Sequence, residues 1–237
     1  VPVMGFLIAK FGWSAPFPLL TLLGVFIFIT IWRIIPNTDA HHELTSNSRA
    51  GYRAVFSSAP AMAGISIALW ASAGNELINV IFGVWLEDSF GLKIAALAGA
   101  SAVIGISELS GEGLVALTTD RLGKPLALSI GLVGNALASI LLPFIGHTQV
   151  GALIGLFLFY ITFEYVMVSH IPLMTELVPS ARATILSMNV TGHSIGRALG
   201  AFLAAFIYQQ FGFTFVALAA VVFNVAGLLA LRRLQKG

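Results

Sequence analysis

The chain has 237 residues, of which 58% are hydrophobic and only 9% charged, with a formal net charge of +2. Water-soluble domains carry about a quarter charged residues, so this composition, with a mean hydropathy of +0.95, excludes one and predicts an all-α, polytopic membrane protein. The absence of cysteine excludes disulfides and thiolate metal sites and fits a bacterial inner membrane.

In chain order, Val1 to Phe11 is apolar but shorter than the ~20 residues needed to cross a hydrocarbon core. It also lacks the basic start of a signal peptide. It reads as the end of an eighth, truncated span, so the chain is expected to be a fragment of a longer protein. Seven complete spans follow at 16–34, 60–84, 93–117, 125–146, 150–178, 183–210 and 213–231. Between the first two, Pro36 to Ala59 is rich in Ser, Asn and Gly and reads as a solvated linker, with no metal role expected for His41 and His42.

Orientation follows from the basic residues between spans. Arg33, Arg49, Arg53, Arg121, Lys124, Arg182, Arg232, Arg233 and Lys236 fall on one side of the alternating topology, and Lys10 and Lys93 on the other. The first side is therefore expected to be the cytoplasm, and the C-terminus lies there.

Ionisable groups at bilayer depth cost about 2.5–3.5 kcal/mol on insertion scales and are kept inward, paired or wetted by a cavity. Here they fall on four spans: Glu76 on the second, Glu108 and Glu112 on the third, Glu164 and His170 on the fifth, His193 and Arg197 on the sixth. The first, fourth and seventh spans carry none.

Near its two ends the chain repeats itself. Phe11-Gly12-Trp13 recurs as Phe211-Gly212-Phe213, an offset of 200 residues, and each copy ends one span and begins the next. Parallel repeats about an axis along the membrane normal place equivalent turns in this way, which implies two six-span halves with about 160 residues absent upstream.

Three short motifs then carry a family resemblance. Asp120-Arg121-Leu122-Gly123-Lys124-Pro125 follows the third span, Pro2-Val3-Met4-Gly5 opens the chain, and Glu176-Leu177-Val178-Pro179-Ser180-Ala181-Arg182 precedes the sixth span. Together, in span order, they resemble the loop between helices two and three of each half, the exporter-associated Pro-x-x-Gly motif and the loop before helix eleven of major facilitator superfamily transporters. Ala116 stands where that pattern has a Gly before the loop acid.

The resemblance implies residues 1–35 as the last one and a half helices of one bundle, 36–59 as the inter-bundle linker and 60–237 as a second, six-helix bundle. It also implies that helices one, two, four and five of each half line the central path, and the three uncharged spans are then the peripheral ones. Asp120, Arg121, Gly123, Lys124, Glu176 and Arg182 become cytoplasmic gating residues. Independently of any resemblance, Gly123 permits a tight turn, Pro125 suits a first helical position, and Asp120 can accept from amides at a helix N-terminus.

Spacing says which polar groups share a face. Glu108 and Glu112 lie four apart, as do Asn189, His193 and Arg197 in succession. At about 1.5 Å per residue, His193 lies about 16 Å and Arg197 about 22 Å from Arg182, Glu108 about 18 Å and Glu112 about 12 Å from Asp120. On the same scale Glu164 lies about 21 Å from Val178, and Glu76, between Asn75 and Asn79, about 24 Å from Pro60. Depth thus matches Glu164 with Arg197 and Glu108 with His193, as structural pairs that offset desolvation. The functional reading is that Glu108 and Glu112 repel when both are ionised, which lets one bind and release a proton during transport. Arg197 alternatively suits an anionic substrate, and Asn75, Glu76, Asn79, Glu164 and Asn189 complete the expected cavity.

The expected function is a secondary active transporter working by alternating access, a proton-coupled exporter of a small organic molecule. Its partners are the bilayer, the substrate, protons and the missing bundle, with no nucleic acid and no cofactor. An importer or uniporter of the same fold is the nearest alternative. No phosphate loop is present, so nucleotide is not the evident energy source, and an intramembrane enzyme is disfavoured because no His-Glu-x-x-His or comparable ligand spacing appears. A seven-span receptor is disfavoured by the truncated opening span and the repeat.

Overall fold

The computed structural model describes residues 2–34, 48–92 and 94–236. Among the described residues there is no strand, and nine α-helices run as α1 (Pro2–Phe11), α2 (Pro16–Ile34), α3 (Ser48–Ser57), α4 (Ala59–Phe90), α5 (Ile94–Leu122), α6 (Lys124–Ile145), α7 (Gln149–Leu177), α8 (Arg182–Phe211) and α9 (Phe213–Lys236), with a 3-10 turn at Pro179–Ala181. Seven of them, α2 and α4 to α9, are long and apolar enough to cross a membrane.

Local chemistry sets the helix ends. Ser58 is extended and its hydroxyl accepts from the Ala61 amide at 3.3 Å, with Pro60 in the first turn of α4. Thr148 caps α7 in the same way, accepting from Gly151 at 3.1 Å. Four glycines have positive φ, and two of them divide consecutive helices: Gly123 (φ 80°) separates α5 from α6, and Gly212 (φ 79°) separates α8 from α9. The repeat copy Gly12 (φ 88°) matches Gly212, and each donates its N–H to the residue four back, Ile8 at 3.0 Å and Tyr208 at 2.9 Å. The two turns share the glycine conformation and its hydrogen bond but differ after it: a three-residue turn precedes α2, whereas α9 starts directly at Phe213.

Packing begins at α4, which lies against α8 on one side and α9 on the other; α9 leads to α6, α6 to α7, α7 to α5, and α5 to α1. Gly192, Gly196 and Gly200 of α8 face the backbone carbonyls of Ile65, Leu69 and Ala73 of α4, so the two helices run parallel in close backbone contact. This stripe lies inside one bundle. On α5, in contrast, Gly99, Gly105 and Gly113 have open space where a Cβ would stand. The α4–α9 contact is aromatic, with Trp70 stacked on Phe223 and Trp85 on Phe213, the latter at 3.8 Å between centroids.

A buried polar knot joins α6, α7 and α9. Asn135 Nδ2 donates to the Phe159 carbonyl at 2.8 Å, and Asn224 Nδ2 donates to Asn135 Oδ1 at 2.8 Å. Helix α2 is exposed along almost its whole length and touches α1.

One expectation changes. The segment read as a solvated linker contains α3, whose Val55 is fully buried; residues 36–47, with His41 and His42, lie outside the described residues. Helix α4 continues unbroken through Glu76. Helix α7 likewise continues past His170 with Pro172 inside it. There, tertiary packing of the buried Leu173 and Met174 outweighs the lost backbone hydrogen bond, as membrane helices tolerate.

Candidate functional site

A cavity of about 430 Å³ opens between α4, α5, α7 and α8, lined by Ser72, Asn75, Glu76, Asn79, Glu108, Tyr160, Phe163, Met167, Val190, His193, Ser194 and Arg197. None of its lining comes from α6 or α9. The helices that carry ionisable residues are therefore the ones that enclose the space.

The centre of the site is an ion pair across the α4–α8 seam. Arg197 Nε donates to Glu76 Oε2 at 2.9 Å, and Asn79 Nδ2 reaches Glu76 Oε1 at 3.5 Å. Tyr160 on α7 donates its hydroxyl proton to Asn79 Oδ1 at 3.0 Å. A continuous polar chain thus links α7, α4 and α8 across the bundle. Glu76 is 92% buried by the complement of its 8% exposure, while the Arg197 side chain is 63% exposed. The guanidinium therefore answers the buried carboxylate with one edge and leaves the other open to the cavity.

Below the ion pair, His193 Nδ1 lies 2.7 Å from Ser72 Oγ, and its Nε2 lies 3.4 Å from Asn189 Nδ2. His170 stands edge-to-face with His193 at 6.2 Å between centroids and is buried, its two ring nitrogens without partners among the described residues. Asn75 Oδ1 and Asn189 Oδ1 are also buried without partners. This polar seam lies between α4, α7 and α8, on the side of the cavity nearer the first turns of α4 and α8.

Both pairings matched by depth are corrected: Arg197 meets Glu76 in place of Glu164, and His193 meets Ser72 in place of Glu108. Depth left the choice open, because Glu76 and Arg197 also lie at similar distances along their helices. The glycine stripe presses α8 onto α4 and leaves it only lightly in contact with α7, so the α4 side chains are the ones within reach.

The acids of α5 and α7 form a second group. Glu164 packs on Gly111, between Glu108 and Glu112 in the α5 sequence, and lies within electrostatic reach of both. Glu108 lines the cavity; Glu112 is exposed and does not line it. None of the three forms an ion pair among the described residues, where the pairs are Glu76 with Arg197 and Glu176 with Lys124.

That second ion pair unites two motifs read separately. Lys124 follows the Asp120 loop and Glu176 opens the loop before α8, and their side chains meet at one end of the bundle. Arg121 and Arg182 are exposed. Asp120 is exposed and does not cap α6, whose preceding residue Gly123 makes no side-chain cap bond. The expectation that its carboxylate accepts from those amides is therefore corrected: the glycine turn carries it away from them. Sequence reasoning also passed over Ser72 and Tyr160, each needed to complete a polar chain; the hydroxyl four residues before Glu76 was the available signal.

Comparison with known proteins agrees with this architecture. The family model described as Major Facilitator Superfamily matches residues 1–179. Two Bacillus subtilis (strain 168) proteins, each named an uncharacterized MFS-type transporter, are similar: YceJ is 25% identical over 89% of this chain and 54% of its own length, and YbcL is 23% identical over 97% of this chain and 59% of its own. The chain thus spans somewhat more than half the length of these relatives.

Proposed function

Since the chain belongs to the Major Facilitator Superfamily, a family of membrane transporters, we propose that the protein is a secondary transporter working by alternating access, a proton-coupled antiporter that exports a small organic molecule. In this reading residues 1–35 close one bundle, 36–59 form the linker and 60–237 form a second bundle, with linker and C-terminus in the cytoplasm and the protein in a bacterial inner membrane. The partners are the bilayer, the substrate, protons and the first bundle.

The observation that carries the proposal is the imbalance of charge inside the bundle. The helices around the cavity carry four carboxylates, Glu76 and Glu108 lining it, Glu164 packed on α5 and Glu112 exposed, against one guanidinium in the lining, Arg197, which is engaged by Glu76. Ionised carboxylates at bilayer depth without cations are costly, so Glu108, Glu112 and Glu164 are suited to take up protons or to meet a cationic group. A mobile proton satisfies them in one conformation and leaves in another, which is the requirement for coupling. Export is favoured by the resemblance at Pro2-Val3-Met4-Gly5.

The test is proton-driven uptake into inverted vesicles beside substrate counterflow, with the full-length protein. Glu→Gln at Glu108 or Glu112 is expected to abolish concentrative transport in one of the two while counterflow persists, because Gln keeps the volume and polarity but cannot carry a proton. Full concentrative transport in both variants would remove these groups from coupling.

A further inference from the structure

We propose that the outward face of α3 is a docking site for the headgroups of anionic phospholipids, in the leaflet at which α4 and α8 begin. Arg49, Tyr52, Arg53 and Phe56 follow one another at intervals of three, one and three, the spacing of a single helix face. All four are exposed, Tyr52 at 47% and Phe56 at 61%. They form a stripe of alternating guanidinium and aromatic groups.

The opposite face fixes where that stripe lies. Gly51 abuts Thr184, so closely that a Cβ would come within 2.6 Å of its hydroxyl oxygen. Val55 is fully buried in a cluster with Ala61, Met174, Ala181 and Ile185. Those residues belong to the first turns of α4 and α8, the end of α7 and the 3-10 turn between them. Helix α3 is therefore held against one end of the bundle, with its stripe on the outward side.

Chemistry selects the occupant. Helix α3 contains no acidic residue, and no carboxylate among the described residues pairs with Arg49 or Arg53. A guanidinium fork matches two oxygens of a phosphate. Aromatic rings between such groups settle at the boundary of headgroup and acyl chain. A basic segment near an anionic leaflet gains about fivefold in affinity for each Arg, by the magnitude typical of juxtamembrane charges. A zwitterionic headgroup supplies no such net attraction.

The experiment uses the full-length protein in detergent, titrated with phosphatidylglycerol or phosphatidylcholine, with thermal unfolding as the readout. Phosphatidylglycerol is expected to stabilise the parent at lower concentration than phosphatidylcholine. In Arg49→Gln and Arg53→Gln the phosphatidylglycerol midpoint is expected to rise about fivefold each, with the phosphatidylcholine curve unmoved. Arg232→Gln, an equal loss of charge on α9 and outside the stripe, should move the phosphatidylglycerol midpoint less than either. An equal shift in that control would mean a diffuse surface potential and overturn the site, as would indistinguishable curves for the two lipids in the parent.

A second measurement keeps the proposal testable even where the arginine variants fold poorly. A fluorophore on Phe56→Cys, in an otherwise cysteine-free full-length protein, is expected to be quenched by brominated phosphatidylglycerol. Complete protection from quenching would show that lipid does not reach the α3 stripe, and the lipid assignment would fall.

Discussion

Arg197 Nε stands 2.9 Å from Glu76 Oε2, joining two helices whose backbones are already pressed together by Gly196 and Gly200. The two ends of this ion pair are unequal. The Glu76 carboxylate is almost wholly enclosed, whereas the guanidinium is largely open to the cavity. Removing either partner therefore has different consequences.

Arg197→Ala leaves an enclosed carboxylate without its cation, and Glu76→Gln leaves an accessible guanidinium that water can satisfy. Breaking an enclosed pair from the cation side costs about 3–5 kcal/mol in fully buried cases, and the exposure of Arg197 reduces that to about 1–3 kcal/mol. Arg197→Ala is expected to lower the unfolding temperature more than Glu76→Gln, and Glu76→Gln/Arg197→Ala to recover part of the loss. Thermal melts of the three proteins in one detergent check this; equal losses in the two single variants would contradict the asymmetry.

Gly196 and Gly113 make a matched pair of glycines. A Cβ at Gly196 would collide with the Leu69 carbonyl of α4, whereas one at Gly113 meets nothing within 4 Å. Gly196→Ala is expected to destabilise by about 1–3 kcal/mol through overpacking. Gly113→Ala should be neutral or stabilising by up to about 1 kcal/mol, the helix-propensity difference. Denaturation in mixed micelles distinguishes them.

Asn224→Ala should cost about 1–3 kcal/mol, because Asn135 Oδ1 then loses its donor in a site where both residues are only 1% exposed. Asn135→Ala should cost at least as much, since Asn135 also donates to the Phe159 carbonyl. Thermal unfolding of both proteins gives the order, and a cost for Asn224→Ala below that of surface substitutions would mean the knot is energetically idle.

Lys124 and Glu176 are partly exposed, at 29% and 59%, so the stability of their pair is worth about 0–1 kcal/mol. A gating role asks more of it. Lys124→Glu and Glu176→Lys should each slow transport at unchanged folded abundance, and the double swap should restore it. Asp120→Asn should likewise slow transport more than it lowers abundance. Initial rates normalised to folded protein measure all four variants, and failure of the swap to restore rate would assign the pair to structure alone.

Much of the candidate site was legible along the chain. Span positions follow from runs of apolar residues longer than a bilayer is thick, and the lining helices follow from the cost of placing Glu76, Glu108, Glu164, His193 or Arg197 against lipid. The turns at Gly123 and Gly212 were readable because a reversal over one residue needs a backbone conformation that glycine adopts freely. Helix α3 was missed: its ten residues are too polar to span, and its polar, glycine-containing sequence resembles a linker unless Val55 is known to face a core.

What the sequence by itself determined is where the seven spans lie and which of their polar residues share a face, since these depend on spacing within one segment; α4, α5 and α9 run on past the ends read for them. Partner choice was decided only by the tertiary structure. Glu76 and Glu164 both lie level with Arg197, and depth alone cannot separate them. Close packing did, because three glycines allow α8 to rest on the carbonyls of α4, and a side chain reaches a neighbour a few ångströms away before it reaches one across a cavity.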